Sequence, residues 1–415
     1  MPAPNPSESS TYFRKGFGLK TAVQDELAAD YDGRIIDQLR ANDFTLTAGD
    51  VTIRLAREFG FCYGVERAVE YAYQARRKFP DKRIVLVGEI IHNPHVNGRL
   101  RDMGVEILER PTTPGARFDF SGIRSEDVVI LPAFGVTIDD FAALRDVGCV
   151  MVDTTCGSVL NVWKRVESYA RDGFTALIHG KYYHEETRAT ASQVLKHPNG
   201  HYLIVRNTAE AQVVCDFIEG GVPASTIAER FALACSPGFD AARHLERIGV
   251  ANQTTMLARE SLAIAEQVGA AVERARGAEA RAANFRSFDT ICSATQERQD
   301  AVRELLTEPL DAMVVIGGYN SSNTLSLASL CAAHVTTYHI PTASAVDVDA
   351  GTITFRPAGI EHREETRADW LGTGPVRIGI TAGASTPNNK IGEVIARILA
   401  TRGLTVAGNV GERTD

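Results

Sequence analysis

Gly60-Phe61-Cys62-Tyr63-Gly64-Val65 follows a short apolar run that opens at Val51, so a cysteine stands between an aromatic residue and a glycine where an expected strand gives way to a helix. Glycine lets the backbone bend sharply at such a point, which suits a ligand held in a tight turn. Two more cysteines share the setting. Cys156 closes Val150-Met151-Val152-Asp153-Thr154-Thr155-Cys156 and Cys292 closes Phe288-Asp289-Thr290-Ile291-Cys292, each with an Asp-Thr step before it and a helix-forming stretch after it. The three are too distant in sequence for a C-x-x-C knuckle or a finger. If three α/β lobes face one another, three such junctions meet at one point, and three soft thiolates from separate lobes suit an iron–sulfur cluster with one iron left unligated by protein. Three buried thiols are the alternative, since free cysteine packs as a small hydrophobe; the threefold match of the junctions disfavours it.

The 415 residues are enough for two to four domains, and 44% hydrophobic with 23% charged is ordinary globular composition. A formal net charge of −8 argues against an electrostatic hold on nucleic acid or an anionic membrane surface, so an anionic ligand must be met by local donors. Seven cysteines, an odd number in a long chain, speak for a reducing compartment, and the cytoplasm is the expected location. Cys149, Cys215, Cys235 and Cys331 lie in apolar runs and read as core filler. No apolar run approaches the length of a spanning helix, and Glu8 with no apolar stretch around it makes a secretory signal unexpected.

Residues 1–50 read as an extension packed on the main body, with the basic, glycine-broken segment Arg14-Lys15-Gly16-Phe17-Gly18 and a helical stretch from about Thr21 to Ala41. From Val51 onward, short β-branched runs alternate with helical stretches, which predicts parallel sheets with crossover helices. The expected lobes span 51–155, 156–291 and 292–415. Between His197 and Ser287 the pattern is weaker, with a strand expected at Phe231 to Ala234; Thr342 to Gly374 reads as a hairpin or excursion.

Parallel sheets bind ligands beyond the carboxyl ends of their strands. Those ends carry Glu89-Ile90-Ile91-His92-Asn93, His179-Gly180-Lys181-Tyr182-Tyr183-His184-Glu185-Glu186, Gly317-Gly318-Tyr319-Asn320-Ser321-Ser322-Asn323-Thr324 and Thr381-Ala382-Gly383-Ala384-Ser385-Thr386. Ser321, Ser322, Asn323 and Ser385 follow glycine-bearing bends and precede helices, where free N–H groups bind phosphate. Neither loop matches G-x-x-x-x-G-K-[ST] or G-x-G-x-x-G, which disfavours a nucleoside triphosphatase or a dinucleotide enzyme. An N-cap serine alone is the commoner outcome, but two such loops with His92 and His184 favour a diphosphate. Glu186, close after His184, suits a proton donor or relay, because a carboxyl shielded from water can hold its proton near neutral pH.

At these residues the chain resembles the 4-hydroxy-3-methylbut-2-enyl diphosphate reductase family, which closes the methylerythritol phosphate route to isoprenoids. The likeness runs from Arg14-Lys15-Gly16-Phe17-Gly18 to Thr381-Ala382-Gly383-Ala384-Ser385. Its most specific pieces are Gly60 to Ala68, Glu89 to Asn93, Asp153-Thr154-Thr155-Cys156, Gln253-Thr254-Thr255 and Asn320-Ser321-Ser322-Asn323. The resemblance implies an α/β fold of three similar lobes in a trefoil around a central [4Fe–4S] cluster, ligated by Cys62, Cys156 and Cys292, whose remaining iron meets the substrate's hydroxyl. It further implies that His92, His184, Ser321, Ser322, Asn323 and Ser385 hold the diphosphate, that Glu186 supplies the proton, and that Thr254 or Thr255 touches the alcohol. An allylic diphosphate is then the substrate and a low-potential ferredoxin or flavodoxin the electron donor; a homodimer stays open.

Ala133-Phe134-Gly135-Val136 departs from the Ala-His-Gly-Val of many family members, and phenylalanine cannot donate to phosphate. This change, the amino-terminal extension and the inserted stretch around Val213 to Ala234 resemble the plant and cyanobacterial branch; Gly157-Ser158 also replaces the more frequent Pro-Leu. Two other classes compete: a three-cysteine cluster dehydratase resembling quinolinate synthase, disfavoured by the diphosphate-type loops, and a non-catalytic iron–sulfur sensor, for which neither a basic patch nor a helix-turn-helix pattern is visible.

Overall fold

A computed structural model of the chain describes residues 11–111, 116–360 and 363–406. They pack as two compact units, one formed by residues 11–18, 67–90 and 98–292 within the described range, the other by 19–66, 91–97 and 293–406.

The first unit contains two parallel sheets. One has the strand order Tyr12–Phe13, Val150–Asp153, Val128–Leu131, Ile84–Val87, Val105–Leu108. The other runs Phe285–Ser287, Ile248–Asn252, Thr175–His179, Tyr202–Val205. Val128–Leu131 and Ile84–Val87 are buried at every position. That burial is why their sequences read as unbroken Val/Ile/Leu runs, as expected for strands covered on both faces. In the second sheet Leu177, Leu203 and Val250 pack with Val166, Val214, Ile264 and Val268 from the crossover helices.

The second unit holds a third sheet, ordered Thr337–Ile340, Ala312–Ile316, Val376–Ala382, Val51–Leu55, Thr45–Ala48, parallel except for its last pair. One face packs Ile53, Val314, Ile378 and Ile380 against Ile35, Ile36 and Leu39 of the helix Arg34–Ala41 and Ile391, Ile395 and Ile398 of the helix Asn388–Ala400. The other packs Met313 and Val315 against Val302, Leu305 and Leu327. The span expected to be an excursion forms a small antiparallel sheet of Val346–Asp347, Thr352–Phe355 and Glu365–Ala368.

Three departures from the sequence reading have local causes. The strand Val51–Leu55, placed by alternation in the first lobe, is hydrogen-bonded beside Val376–Ala382, because parallel pairing goes through long crossovers and does not follow chain order. The extension contributes an edge strand, Tyr12–Phe13, whose Tyr12 hydroxyl donates to the Asp153 carboxylate and whose ring meets Phe141 edge-on at 5.7 Å. Residues 231–234 are a turn, not a strand; Phe231 and Ala234 are apolar because both are buried beneath it.

Gly249 lies inside the strand Ile248–Asn252, where a Cβ would stand 2.5 Å from the Tyr169 ring, whose hydroxyl donates to the Val250 carbonyl at 2.9 Å. Overpacking of this kind costs about 1–3 kcal/mol. Gly249→Val is therefore expected to lower the urea midpoint of unfolding by a corresponding amount; a midpoint equal to that of the unmodified protein would contradict this packing.

Candidate active site

Each of the three cysteines singled out in the sequence begins at the end of a strand and is pinned by its own N–H to the loop leaving the neighbouring strand. The Cys62 N–H donates to the Ala384 carbonyl at 3.3 Å, that of Cys156 to Ala133 at 3.0 Å and that of Cys292 to Thr254 at 3.3 Å. In each case the two strands concerned are parallel neighbours. The hydrogen-bond ladder thus continues past the strand ends and fixes where the thiol can point.

Side chains tighten two of these turns in the first unit. Asp153 accepts from the Thr155 N–H at 2.9 Å and from the Thr155 hydroxyl, Thr154 donates its hydroxyl to Leu131 O at 2.7 Å, and Arg67 donates to Thr155 O at 3.0 Å. Cys156 then takes the N-cap position of the helix Gly157–Arg171. At the other turn the Thr290 hydroxyl accepts from Asn252 N at 2.7 Å and donates to Asn252 O at 3.0 Å, while Asp289 accepts from Ile291 N at 3.0 Å. The Asp-Thr steps seen in the sequence are these clamps.

Thr254 is held from two sides. Its carbonyl takes the Cys292 N–H, and its own N–H donates at 2.6 Å to Oε1 of Glu186, which is 2% exposed. Gln253 braces the same turn: its Oε1 accepts from Lys181 N at 3.1 Å and the Thr187 hydroxyl at 2.9 Å, and its Nε2 donates to the Thr255 hydroxyl at 2.9 Å. His184 caps the helix Glu185–Val194, its Nδ1 accepting from Glu186 N at 3.2 Å. An accepting Nδ1 puts the ring proton on Nε2, so the outward nitrogen is a donor. The Phe134 ring meets His184 edge-on at 5.6 Å.

In the second unit, Arg298 fastens the Cys62 turn from below. Buried at 3% exposure, it donates to Gly60 O at 2.8 Å, Phe61 O at 2.9 Å and Ala294 O at 2.8 Å. The same unit holds the polar loops. Ser321 caps the helix Ser322–Ala332 and accepts from the Thr324 hydroxyl at 3.0 Å; Asn323 accepts from Ala384 N at 2.9 Å; Ser385 donates to His92 O at 3.2 Å; and Asn93 donates to Ser385 O at 2.7 Å. Asn320 meets Nδ1 of His92 at 3.3 Å. These loops close because Gly383 lacks a side chain: a Cβ there would lie 1.9 Å from the Thr324 hydroxyl. Within this hydrogen-bonded cluster the Ser322 hydroxyl is buried with no partner among the described residues, a costly state for a polar group unless a ligand supplies one.

The expected site residues are therefore shared between the units: Cys156, Cys292, His184, Glu186, Thr254 and Thr255 belong to the first, and Cys62, His92, Ser321, Ser322, Asn323 and Ser385 to the second. Arg298 lies outside the expected set, while Asn93 and Thr324 lie in the strand-end loops named from the sequence without a role of their own. Arg298 had a signal, being a charged residue on the apolar face of the helix Ser293–Leu305. His339 is a further support, its Nε2 donating at 2.9 Å to the Gly317 carbonyl, with burial pulling its pKa down to about 4 so that it stays neutral.

The remaining cysteines differ in kind. Burial pushes the thiols of Cys149, Cys215 and Cys331 up to about 11, 12 and 12, and raises that of Cys235. Such groups are poor thiolate ligands. Cys62, Cys156 and Cys292 instead stand half-buried at strand-to-helix turns, and three such thiols make the donor set that an iron–sulfur cluster requires.

A family model described as LytB protein matches residues 53–399. A 4-hydroxy-3-methylbut-2-enyl diphosphate reductase of Thermosynechococcus vestitus is 49% identical over 400 residues, covering 95% of this chain and 96% of that protein. The reductase of the same name from Gloeobacter violaceus is 46% identical over 407 residues, covering 97% and 96%. Among solved structures, (E)-4-hydroxy-3-methyl-but-2-enyl diphosphate reductase, described as the terminal enzyme of the non-mevalonate pathway, aligns with a TM-score of 0.50 at 28% identity, over 83% of this chain and 98% of that one. The diphosphate reductase from Plasmodium falciparum shares the fold, with a TM-score of 0.60 at 20% identity over 84% and 87%. With most of its length matched by the family and by these relatives, the chain belongs to the LytB family.

Proposed function

We propose that this chain reduces (E)-4-hydroxy-3-methylbut-2-enyl diphosphate to isopentenyl diphosphate and dimethylallyl diphosphate, in the methylerythritol phosphate route. The observation that carries the reading is Thr254, whose backbone ties a cysteine turn to a buried carboxylate through the Cys292 N–H and Glu186 Oε1. A thiol ligand and a proton-transfer group are then set by one residue. The relatives' names supply the substrate.

The reaction adds two electrons and two protons to an allylic alcohol, breaks its C–O bond and releases water. Cys62, Cys156 and Cys292 would hold a [4Fe–4S] cluster, and, when bound, that group supplies single electrons and a Lewis-acidic iron. The protein's own residues do the rest. Glu186 delivers the proton that lets the hydroxyl leave as water, with Thr255, oriented by Gln253, and Thr254 placed toward the alcohol. His184 donates from Nε2 to the diphosphate. His92, Ser321, Ser322, Asn323 and Ser385 surround the phosphates with short neutral donors and a helix amino terminus, which suits an anion in a chain of net charge −8. The electron donor is a low-potential ferredoxin or flavodoxin, and the enzyme works in the cytoplasm; among the described residues no helix is long and apolar enough to cross a membrane.

Cys156→Ser is expected to lower the iron content of anaerobically purified protein and abolish turnover with reduced viologen; full iron and full activity would remove Cys156 from the ligand set. Glu186→Gln keeps the shape of the side chain and should leave iron content and substrate affinity unchanged while slowing turnover roughly 100-fold or more. An unaltered rate would take Glu186 out of proton transfer. Ser322→Ala deletes one hydrogen bond to a charged ligand, worth about 1.5–3 kcal/mol, so KM for the diphosphate should rise by about tenfold or more with iron content intact; an unchanged KM would show that the orphaned hydroxyl does not meet substrate.

A further inference from the structure

The span Thr342 to Gly374, expected from the sequence to be an excursion, brings a cation against one of the polar loops of the second unit. Its strand Thr352–Phe355 is followed by Arg356, whose N–H donates to the His339 carbonyl at 3.0 Å. The Arg356 guanidinium lies over the Tyr319 ring, 3.8 Å from its centroid. Tyr319 in turn packs perpendicular to the His339 ring, with centroids 4.9 Å apart, and His339 Nε2 donates to the Gly317 carbonyl at 2.9 Å. Arg356, Tyr319 and His339 therefore close a circuit on one another and on the carbonyl that begins the loop. All of them belong to the same unit.

The loop needs such a grip because its first two residues offer no side chain. Gly317 has a φ of +150°, and a Cβ there would stand 2.5 Å from the Thr324 hydroxyl oxygen; at Gly318 a Cβ would lie 3.0 Å from the His92 carbonyl oxygen. Glycine meets both demands and brings conformational freedom with it. Tyr319 is the first side chain by which this bend can be held. Directly after it, Asn320 donates from Nδ2 to Nδ1 of His92 at 3.3 Å, which leaves the ring proton on Nε2, and the Ser321 N–H closes the bend onto Gly318 O at 3.0 Å. A bend that slips would move together the amide that orients His92 and the start of the helix Ser322–Ala332. Arg356 Nε is buried with no hydrogen-bond partner among the described residues, so the aromatic face is what fixes the guanidinium, and a cation shielded from water holds to a ring more firmly than one at the surface.

Resting on the function proposed above, we propose that Arg356 is a positioning residue for the diphosphate: stacked on Tyr319 and tied to His339, it holds the Gly317–Asn320 bend so that His92 and the hydroxyls that follow keep one arrangement before the anion arrives. Arg356 acts through Tyr319 and touches no reacting atom. Its contribution is to binding, because donors fixed in advance lose less entropy when the anion is bound. Proton transfer at Glu186 is left as it was.

The test uses the cluster-loaded enzyme, with inorganic diphosphate as the binding probe in calorimetry and reduced methyl viologen as the electron source for turnover. Arg356→Gln and Tyr319→Leu are each expected to weaken diphosphate binding and to raise KM for the allylic diphosphate by about fivefold or more, the scale of a cation–π contact shielded from water. Their kcat and iron content should match the unmodified enzyme. Tyr319→Phe keeps the ring and should retain full affinity. The double variant Arg356→Gln/Tyr319→Leu should bind no worse than either single one, since the two changes remove the same contact. Unchanged diphosphate affinity in Arg356→Gln, or losses that simply add in the double variant, would overturn the brace, and so would a fall in kcat with KM unmoved. Should Arg356→Gln purify without iron, Tyr319→Leu against Tyr319→Phe decides: weaker binding in the first alone upholds the brace, and equal affinities overturn it. An unmodified enzyme that binds inorganic diphosphate but turns over no allylic diphosphate would instead overturn the proposed function, and the calorimetric series still judges the brace.

Discussion

One backbone interaction, made three times, sets the cysteine turns of this protein: a cysteine N–H donating to the carbonyl of the loop that leaves the adjacent parallel strand. The pairs are Cys62 with Ala384, Cys156 with Ala133 and Cys292 with Thr254. Parallel strands end in register at one edge of their sheet, so a ladder that runs on by one bond brings two loops together and turns each cysteine away from the sheet. The thiols are thereby placed by main-chain geometry, and the surrounding side chains differ at each turn. Asp153, Thr290 and Arg298 do the same work by unrelated means, since each satisfies turn carbonyls or N–H groups that would otherwise be stranded where the ladder stops.

This repetition is why so much was legible in the sequence. A strand end, an Asp-Thr step, a cysteine and a helix are local features, and local features are written in consecutive residues: Asp153 to Thr155 and Asp289 to Ile291 bond within a few positions. The Val/Ile/Leu runs at Ile84–Val87 and Val128–Leu131 likewise announce strands covered on both faces. What could not be read depends on distant partners. Nothing in Val51–Leu55 says that it pairs with Val376–Ala382, because parallel pairing has no local signature. Tyr12–Phe13 is too short for periodicity and is a strand only because Val150–Asp153 offers an edge and Asp153 an acceptor. Arg298 stands out as a charge on the apolar face of its helix, but its partners, the carbonyls of Gly60 and Phe61, lie more than 200 positions away and have no local signature.

The polar loops of the second unit follow a different physical logic from the cysteine turns. Their side chains are short and neutral, and they spend most of their hydrogen-bonding capacity on one another: Ser321 with Thr324, Asn323 with Ala384 N, Ser385 with His92 O. A network satisfied in this way is rigid before any ligand arrives, and a rigid set of donors loses little entropy on binding. His339 contributes to that rigidity as a donor to Gly317, and burial, which pulls its pKa down to about 4, keeps it neutral near pH 7. Sequence reading saw the hydroxyls as phosphate contacts one by one, whereas the structure makes most of them braces and leaves the Ser322 hydroxyl as the unspent donor.

Phe134 is best understood through the residue it touches. A phenylalanine there can give no hydrogen bond, yet its ring packs perpendicular to that of His184, whose Nδ1 is already taken by the Glu186 N–H. Two constraints on one imidazole, a ring contact and a backbone donor, set both its orientation and its tautomer. The consequence reaches Glu186, because the N–H that fixes His184 is its own and its carboxylate accepts from Thr254. An aromatic ring, an imidazole, a carboxylate and the turn of the third cysteine are thus joined in series. A phenylalanine cannot donate to an anion, but its ring contact leaves His184 held by packing beside the buried Glu186 carboxylate, so the ring contributes position in place of a hydrogen bond.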